Sequence, residues 1–164
     1  MSEPNDQTEN NQVKDDYLNA IRLIERLHRQ FLEVVKGEID RLGVRDINNI
    51  QALILYNIGD DELTVGELTH RGYYLGSNVS YNVRKMVENG YLIQERSTHD
   101  RRSIRVRLSD KGKDVRDKVN EILEFQASKL GETGIKSEQL QYTGAVLNRL
   151  ERFLLHTFGY GPAR

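Results

Sequence analysis

The stretch from residue 77 to residue 108 decides the fold, and its two halves differ in character. The first half predicts a short amphipathic helix with polar and basic residues on its outer face. Its sequence is Ser77-Asn-Val-Ser-Tyr-Asn-Val-Arg-Lys-Met-Val-Glu-Asn89. The second half predicts a β-hairpin with an arginine-rich tip. Its sequence is Tyr91-Leu-Ile-Gln-Glu-Arg-Ser-Thr-His-Asp-Arg-Arg-Ser-Ile-Arg-Val-Arg-Leu108. A helix sized for the DNA major groove beside a basic ribbon is typical of a winged helix-turn-helix.

The helical half divides into a buried face and an exposed face. Helical spacing places Val79, Val83, Met86 and Val87 on one arc, which we expect to join the core. The opposite arc and its flanks carry side chains that can bond bases or phosphates: Ser77, Asn78, Ser80, Tyr81, Arg84 and Lys85. Arg84 is the candidate for a guanine edge, because only arginine offers a bidentate fork there. Lys85 is assigned to phosphate.

The second strand of the hairpin alternates strictly between apolar and polar residues. Ile104, Val106 and Leu108 are predicted to face inward. Arg105 and Arg107 are predicted to face outward, where they would line the DNA backbone. The alternative is that these arginines only solvate the hairpin.

The segments before this stretch complete a helix-turn-helix. Asp46 is predicted to cap a helix that ends before Gly59. The sequence Thr64-Val-Gly-Glu67 matches a capping box and predicts the start of a short third helix. Ser77 is predicted to cap the fourth helix, after a glycine-bracketed turn that contains Tyr73 and Tyr74.

Long amphipathic helices are predicted on both sides of this module. Residues 1–12 lack large apolar side chains and are expected to be a disordered tail, and residues 159–164 a second tail. Between them we expect a single domain, 13–158, of mainly α structure with a small β-hairpin wing. Its winged helix-turn-helix core spans 46–112, and its dimerisation helices span 13–37 and 113–158. The terminal helices have more apolar surface than the small core can cover, which predicts a homodimer.

Charge is segregated along the chain. The 164 residues carry a net charge of −1, yet residues 77–108 hold seven basic and three acidic side chains, a local charge of +4. Phosphate attraction depends on the local field, so this distribution favours a nucleic-acid partner.

Composition excludes several other classes of protein. There is no cysteine, so disulfides, thiolate metal sites and cysteine-based redox sensing are absent. No stretch approaches the roughly 18 apolar residues of a membrane span, and no secretory signal begins the chain, so a cytoplasmic location is expected. The four histidines are scattered, and no nucleotide-binding or hydrolase motif occurs. We therefore assign no catalytic residue, no metal ligand and no cofactor.

Several local strings resemble the MarR family of bacterial winged-helix regulators. They are Leu63-Thr-Val-Gly-Glu-Leu68, Val79 to Met86, Gly90-Tyr-Leu-Ile-Gln-Glu-Arg96, Asp100-Arg-Arg102 and Val106-Arg-Leu-Ser-Asp-Lys-Gly112. The string from Arg71 to Tyr81 looks like that of the LdtR-type proteins of alphaproteobacteria. Thr69 and the Tyr73-Tyr74 pair depart from the family pattern in the turn.

The resemblance implies a transcriptional regulator that binds a pseudo-palindromic operator in double-stranded DNA. It implies that Arg101 or Arg102 enters the minor groove while Asp100 holds the wing in shape. It also implies a small-molecule effector, for which Arg22, His28 and Tyr56 are the candidate pocket residues. The alternatives are a metal-responsive regulator and a winged helix that contacts protein or RNA.

Overall fold

The computed structural model describes residues 4–72, 76–96 and 103–159, without side chains for residues 4–8, 76 and 77. The chain divides into two compact units, 1–45 and 46–164. The order of helices and strands is α1 (Pro4–Arg41), α2 (Asn49–Ile58), β1 (Leu63–Thr64), α3 (Val65–Gly72), α4 (Gly76–Glu88), β2 (Leu92–Arg96), β3 (Ile104–Leu108), α5 (Asp110–Leu130) and α6 (Ser137–Phe158), with a 3-10 turn at Gly131–Thr133. The predicted fold class is confirmed: mainly α with a hairpin wing.

The first unit consists mainly of α1, which is longer than predicted at both ends. Residues 4–12 are helical instead of disordered, and the helix continues past residue 37 to Arg41. Proline at position 4 suits the first turn of a helix, since its missing N–H would be unsatisfied there anyway. The apolar stripe that begins at Val13 marks only the part of a helix that can be buried, so it gives no signal for the polar first turns.

The second unit contains the winged helix and its core. In it α2 packs on α5, and α3 packs on α4. The buried apolar side chains of this unit include Ile54, Leu55, Ile58, Leu68, Val79, Val83, Met86, Tyr91, Leu92, Val106, Leu108, Val115, Val119 and Ile122. Together with the buried Leu63 of β1, they come from every helix and strand between α2 and α5, so α4 and the hairpin share one core.

Two predicted helix starts are wrong and two predicted caps are confirmed. Asn48 caps α2 in place of Asp46, in a reciprocal capping box with Gln51. α4 begins at Gly76, one residue before the predicted cap Ser77. The box between Thr64 and Glu67 forms as predicted, with the Glu67 amide 3.1 Å from the threonine hydroxyl.

Ser109 caps α5 as predicted, and its Oγ accepts from the amide of Gly112 at 3.0 Å. Aspartate at position 110 lies in the first turn of that helix, where a negative charge opposes the positive end of the helix dipole. The start of α5 therefore follows directly from the sequence.

The wing belongs to a three-stranded antiparallel sheet in the order β1-β3-β2. β1 was missed from the sequence, since two residues are too short to show an alternating pattern. The hairpin register pairs Leu92 with Leu108 at its base and Arg96 with Ile104 at its outer end. Val106 and Leu108 are buried, but the prediction for Ile104 is wrong, because its side chain is 41% exposed. Ile104 is the first residue of β3. The buried residues of the sheet lie toward the other end of this strand, where Leu108 pairs with Leu92.

Candidate nucleic-acid interface

The exposed face of α4 carries the polar side chains that the sequence predicts. Asn78, Ser80 and Arg84 are exposed, and Tyr81 is 58% exposed. Lys85 is half-buried. The structure places Ser77 in the helix and describes nothing of its side chain. The predicted face is therefore brought together on one helix.

Arg84 and Lys85 differ in what they bind. The Lys85 ammonium lies 2.9 Å from a carboxylate oxygen of Glu88, and this hydrogen bond raises the pKa of the lysine. Arg84 forms no hydrogen bond or ion pair with any residue in the ranges 4–72, 76–96 and 103–159. An exposed guanidinium without a carboxylate partner keeps its full charge and all five donors for another molecule.

Inward-facing side chains fix the orientation of α4. Val79 and Met86 are fully buried and Val83 nearly so, as predicted, while Val87 is half-buried. Asn82 is also buried, and its side-chain amide donates to the carbonyl of Asn78 at 2.8 Å. This bond satisfies the amide within the helix, so the polar group does not disturb the packing.

A hydrogen-bonded junction joins the end of α4 to the hairpin and to α5. The Tyr91 hydroxyl donates to Asp46, and Lys111 donates to the same carboxylate at 3.1 Å. Lys111 also donates to the carbonyl of Asn89 at 3.1 Å, and its ammonium lies 3.9 Å from the centre of the Tyr91 ring. The Tyr91 hydrogen bond, followed by the one from Lys111, lowers the pKa of Asp46. Burial and the bond to Asp46 raise the pKa of Tyr91.

Gly112 lies against this junction in a position that has no room for a side chain. A Cβ atom there would lie 2.2 Å from the carbonyl oxygen of Tyr91. The Ser109 hydroxyl donates to the carbonyl of Gly90 at 2.6 Å, and the Ser109 amide donates to the carbonyl of Tyr91 at 3.0 Å. The first turn of α5 is thus packed against the segment that leads from α4 into β2.

The two arginines of β3 already have carboxylate partners. Arg105 donates to the carbonyl of Glu62 at 2.6 Å and lies 3.5 Å from its carboxylate and 3.9 Å from that of Glu67. Arg107 donates to Glu95 on β2 at 3.0 Å. Both were predicted to line the DNA backbone, and to do so they would have to exchange or share these partners.

Five of the residues named from the sequence lie in parts of the chain that the structure does not describe. They are Asp100, Arg101 and Arg102, together with Tyr73 and Tyr74. Sequence reasoning did not assign Arg96, which is exposed at the outer end of β2 and has no ion-pair partner among the described residues. Its position directly before the arginine-rich tip was the signal that could have found it.

The candidate effector residues are distributed over the two units. Arg22 and His28 are exposed on α1 in the first unit, and Tyr56 is half-buried on α2 in the second. A small pocket of about 90 Å³ in the second unit is lined by Gly59, Asp60, Asp61, Arg107, Leu108 and Lys113. It includes none of the three predicted residues.

The described residues contain no group of three or more histidines, aspartates or glutamates placed to hold a metal ion. None of the helices in the described ranges combines the length and the apolar character needed to cross a membrane.

A family model described as MarR family matches residues 45–103, which include α2, α3, α4 and β2. Residues 45–103 are therefore similar to the MarR family. The exopolysaccharide II synthesis transcriptional activator ExpG of Rhizobium meliloti is 42% identical over 99 residues, covering 60% of this chain and 51% of that protein. The chain thus spans about half the length of this curated relative.

Solved structures of two other proteins share the fold. The MepR–DNA complex of Staphylococcus aureus matches with a TM-score of 0.70 and 17% identity, covering 81% of this chain and 96% of that one. The MarR protein of Staphylococcus aureus in complex with salicylate and kanamycin matches with a TM-score of 0.67 and 23% identity, covering 88% and 94%. These likenesses confirm the winged-helix architecture.

Proposed function

We propose that this protein is a sequence-specific DNA-binding transcriptional regulator. The observation that carries the proposal is the exposed face of α4, where Arg84 has no carboxylate partner among the residues that the structure describes and stands beside Asn78, Ser80 and Tyr81. The buried side of the helix is fixed by Val79 and Met86, so the face is presented on a rigid support. An α-helix of this kind fits the major groove, where each base pair offers a distinct pattern of donors and acceptors.

The named relatives support this function. ExpG is named as a transcriptional activator, and the MepR structure contains DNA. Arg101, Arg102 and Asp100 stay proposed wing contacts, with Arg96 as an addition next to them. The LdtR-type resemblance stays a prediction as well.

The DNA proposal is tested by selecting binding sites from a pool of random duplexes with the full chain. We expect a pseudo-palindromic site that binds roughly a thousandfold more tightly than scrambled duplex of the same length and salt concentration. A preference of less than about tenfold would reject the operator and leave only general attraction to phosphate. A protein or RNA partner would then be the better explanation of the basic face.

We propose further that the protein acts as a homodimer. α6 has 22 residues and none of them is buried. Leu140, Leu147 and Leu154, at heptad spacing, are 48%, 40% and 38% exposed, and Phe153 and Phe158 are about half exposed. Isolated domains seldom leave a continuous row of large apolar side chains in water, and a second copy of the same helix would cover it.

Sedimentation of the wild-type chain and of Leu147→Glu tests the dimer. We expect the wild type to be dimeric at micromolar concentration and the variant to dissociate. Arg149→Gln, at an exposed position on the opposite face of the same helix, is the control that leaves the dimer intact. A monomeric wild type would contradict the proposal.

We also propose control by a small-molecule effector. The support is the MarR structure that contains salicylate, a small aromatic carboxylate. Operator affinity measured with and without millimolar salicylate is the first test, and Arg22→Ala and His28→Ala are the variants expected to remove the response. No response to salicylate would reject this class of ligand.

A further inference from the structure

Tyr81 is an aromatic residue on a face that is otherwise polar. It is the single aromatic residue among the thirteen of α4, and its side chain is 58% exposed. Val79, Val83 and Met86 pack on the opposite side of the helix, so the ring does not extend the core. Exposed aromatic rings on polar faces are common at surfaces that bind another molecule.

The neighbours of Tyr81 supply hydrogen bonds but no apolar surface. Asn78 and Arg84 stand three residues before and after it, and side chains at this spacing are adjacent on a helix. Ser80 is exposed beside it. On this face Tyr81 is therefore the group suited to an apolar contact, while the donors around it suit base edges and phosphates.

DNA offers one apolar group in the major groove, the C5-methyl of thymine. We propose that the ring of Tyr81 packs on the methyl group of a thymine in each half-site and thereby sets part of the operator sequence. This inference rests on the proposed DNA-binding function. Arg84, one turn further along α4, would bind a guanine within the same half-site.

The competing role for Tyr81 is a hydrogen bond from its hydroxyl to a phosphate. That role would need the oxygen and not the ring, and it would carry no sequence information. The two roles make opposite predictions for Tyr81→Phe, which keeps the ring, and for deoxyuridine, which keeps every hydrogen bond of thymine and lacks its methyl group.

The experiment uses the full-length protein and the operator obtained by site selection. Each thymine is replaced by deoxyuridine at symmetric positions of the two half-sites, and the affinities of wild type, Tyr81→Phe and Tyr81→Ala are compared. We expect one symmetric position at which deoxyuridine weakens wild type and Tyr81→Phe by roughly fifteenfold, about fourfold for each methyl group. Tyr81→Ala should bind the two duplexes equally. The remaining thymines serve as internal controls.

Two results would overturn the inference while leaving the DNA-binding function intact. One is a specific operator in which no thymine methyl group matters differently to wild type and Tyr81→Ala. The other is a loss of affinity in Tyr81→Phe as large as that in Tyr81→Ala, which would assign the contact to the hydroxyl. Failure to select any preferred duplex would instead overturn both the inference and the proposed function. Because Tyr81 is largely exposed, thermal melting should show both variants folded.

Discussion

The exposed face of α4 and strand β3 of the wing hairpin are both basic, and they differ in electrostatics. Both carry arginines at exposed or half-exposed positions. On β3, Arg105 and Arg107 are held by Glu62, Glu67 and Glu95, whereas Arg84 on α4 has no such partner among the described residues.

This difference reduces the number of arginines in residues 77–108 that are available to DNA. A count of charged residues treats every arginine as available to phosphate, but a guanidinium with a carboxylate partner must first lose or share that partner. Exposed ion pairs are weak, so the cost is small but systematic. Of the described arginines of α4, β2 and β3, Arg84 and Arg96 have no carboxylate partner within the described ranges, whereas Arg105 and Arg107 each have one.

The largest effect is expected from a substitution in the junction of α4, β2 and α5, because both regions depend on it. Gly112→Ala would place a Cβ atom 2.2 Å from the carbonyl oxygen of Tyr91, a backbone atom that cannot move without shifting the start of β2. We expect the free energy of unfolding to fall by about 3 kcal/mol, measured by urea denaturation. Gly131→Ala is the matched control, since that glycine has helical backbone angles and open space around it. Equal stability of the two variants would show that the contact at Gly112 is not tight.

A second prediction contrasts the two kinds of arginine directly. Arg84→Ala should reduce operator affinity by about 1–3 kcal/mol, the range for a bidentate contact with a guanine. Arg107→Ala should cost less than about 1 kcal/mol, because the charge it removes is already paired with Glu95. Fluorescence anisotropy at one fixed salt concentration gives both values. A larger loss for Arg107→Ala than for Arg84→Ala would reverse the comparison.

A third prediction concerns the hydrogen bond at the junction. Tyr91→Phe removes the donor to Asp46 while keeping the buried ring. We expect a loss of about 1 kcal/mol in unfolding free energy, since the half-exposed carboxylate keeps Lys111 and water as partners. Tyr142→Phe, at an exposed tyrosine of α6, should leave the stability unchanged. A loss as large as that of Gly112→Ala would mean that the hydroxyl organises the whole junction.

The smallest effect is expected on the stability contribution of Asp46 when the pH is lowered. The hydrogen bond from Tyr91, followed by that from Lys111, lowers the pKa of Asp46 in the folded protein. Its contribution to stability is therefore present above the ordinary aspartate value of 3.8 and is lost as the pH falls below it toward the depressed pKa. Wild type should exceed Asp46→Asn in urea stability at pH 7, and the gap should narrow below pH 4. A gap that widens in acid would contradict the sign of this shift.

Local rules predicted much of the second unit. The buried face of α4, the capping box at Thr64 and the cap at Ser109 each depend on residues within a few positions of one another. Such patterns belong to a single helix, so the sequence displays them without knowledge of the fold.

The features that could not be predicted join residues distant in sequence. Arg105 meets Glu62 across 43 positions, and Lys111 meets Asp46 across 65. Only the packing of strands and helices on a shared core brings these groups together. The same reason explains why Asp46 was assigned to a helix cap: its local sequence suits that role, but its position in the fold gives it other partners.

Thr64 belongs to two structures at once. It pairs with Arg105 as the last residue of β1, and its hydroxyl caps α3. Opening the sheet at this edge would therefore release the first turn of the helix as well. In native-state hydrogen exchange, the amides around Val106 and Glu67 should lose protection together, as members of one cooperative unit. A perturbation elsewhere in the protein would then open the base of the wing and the start of α3 together.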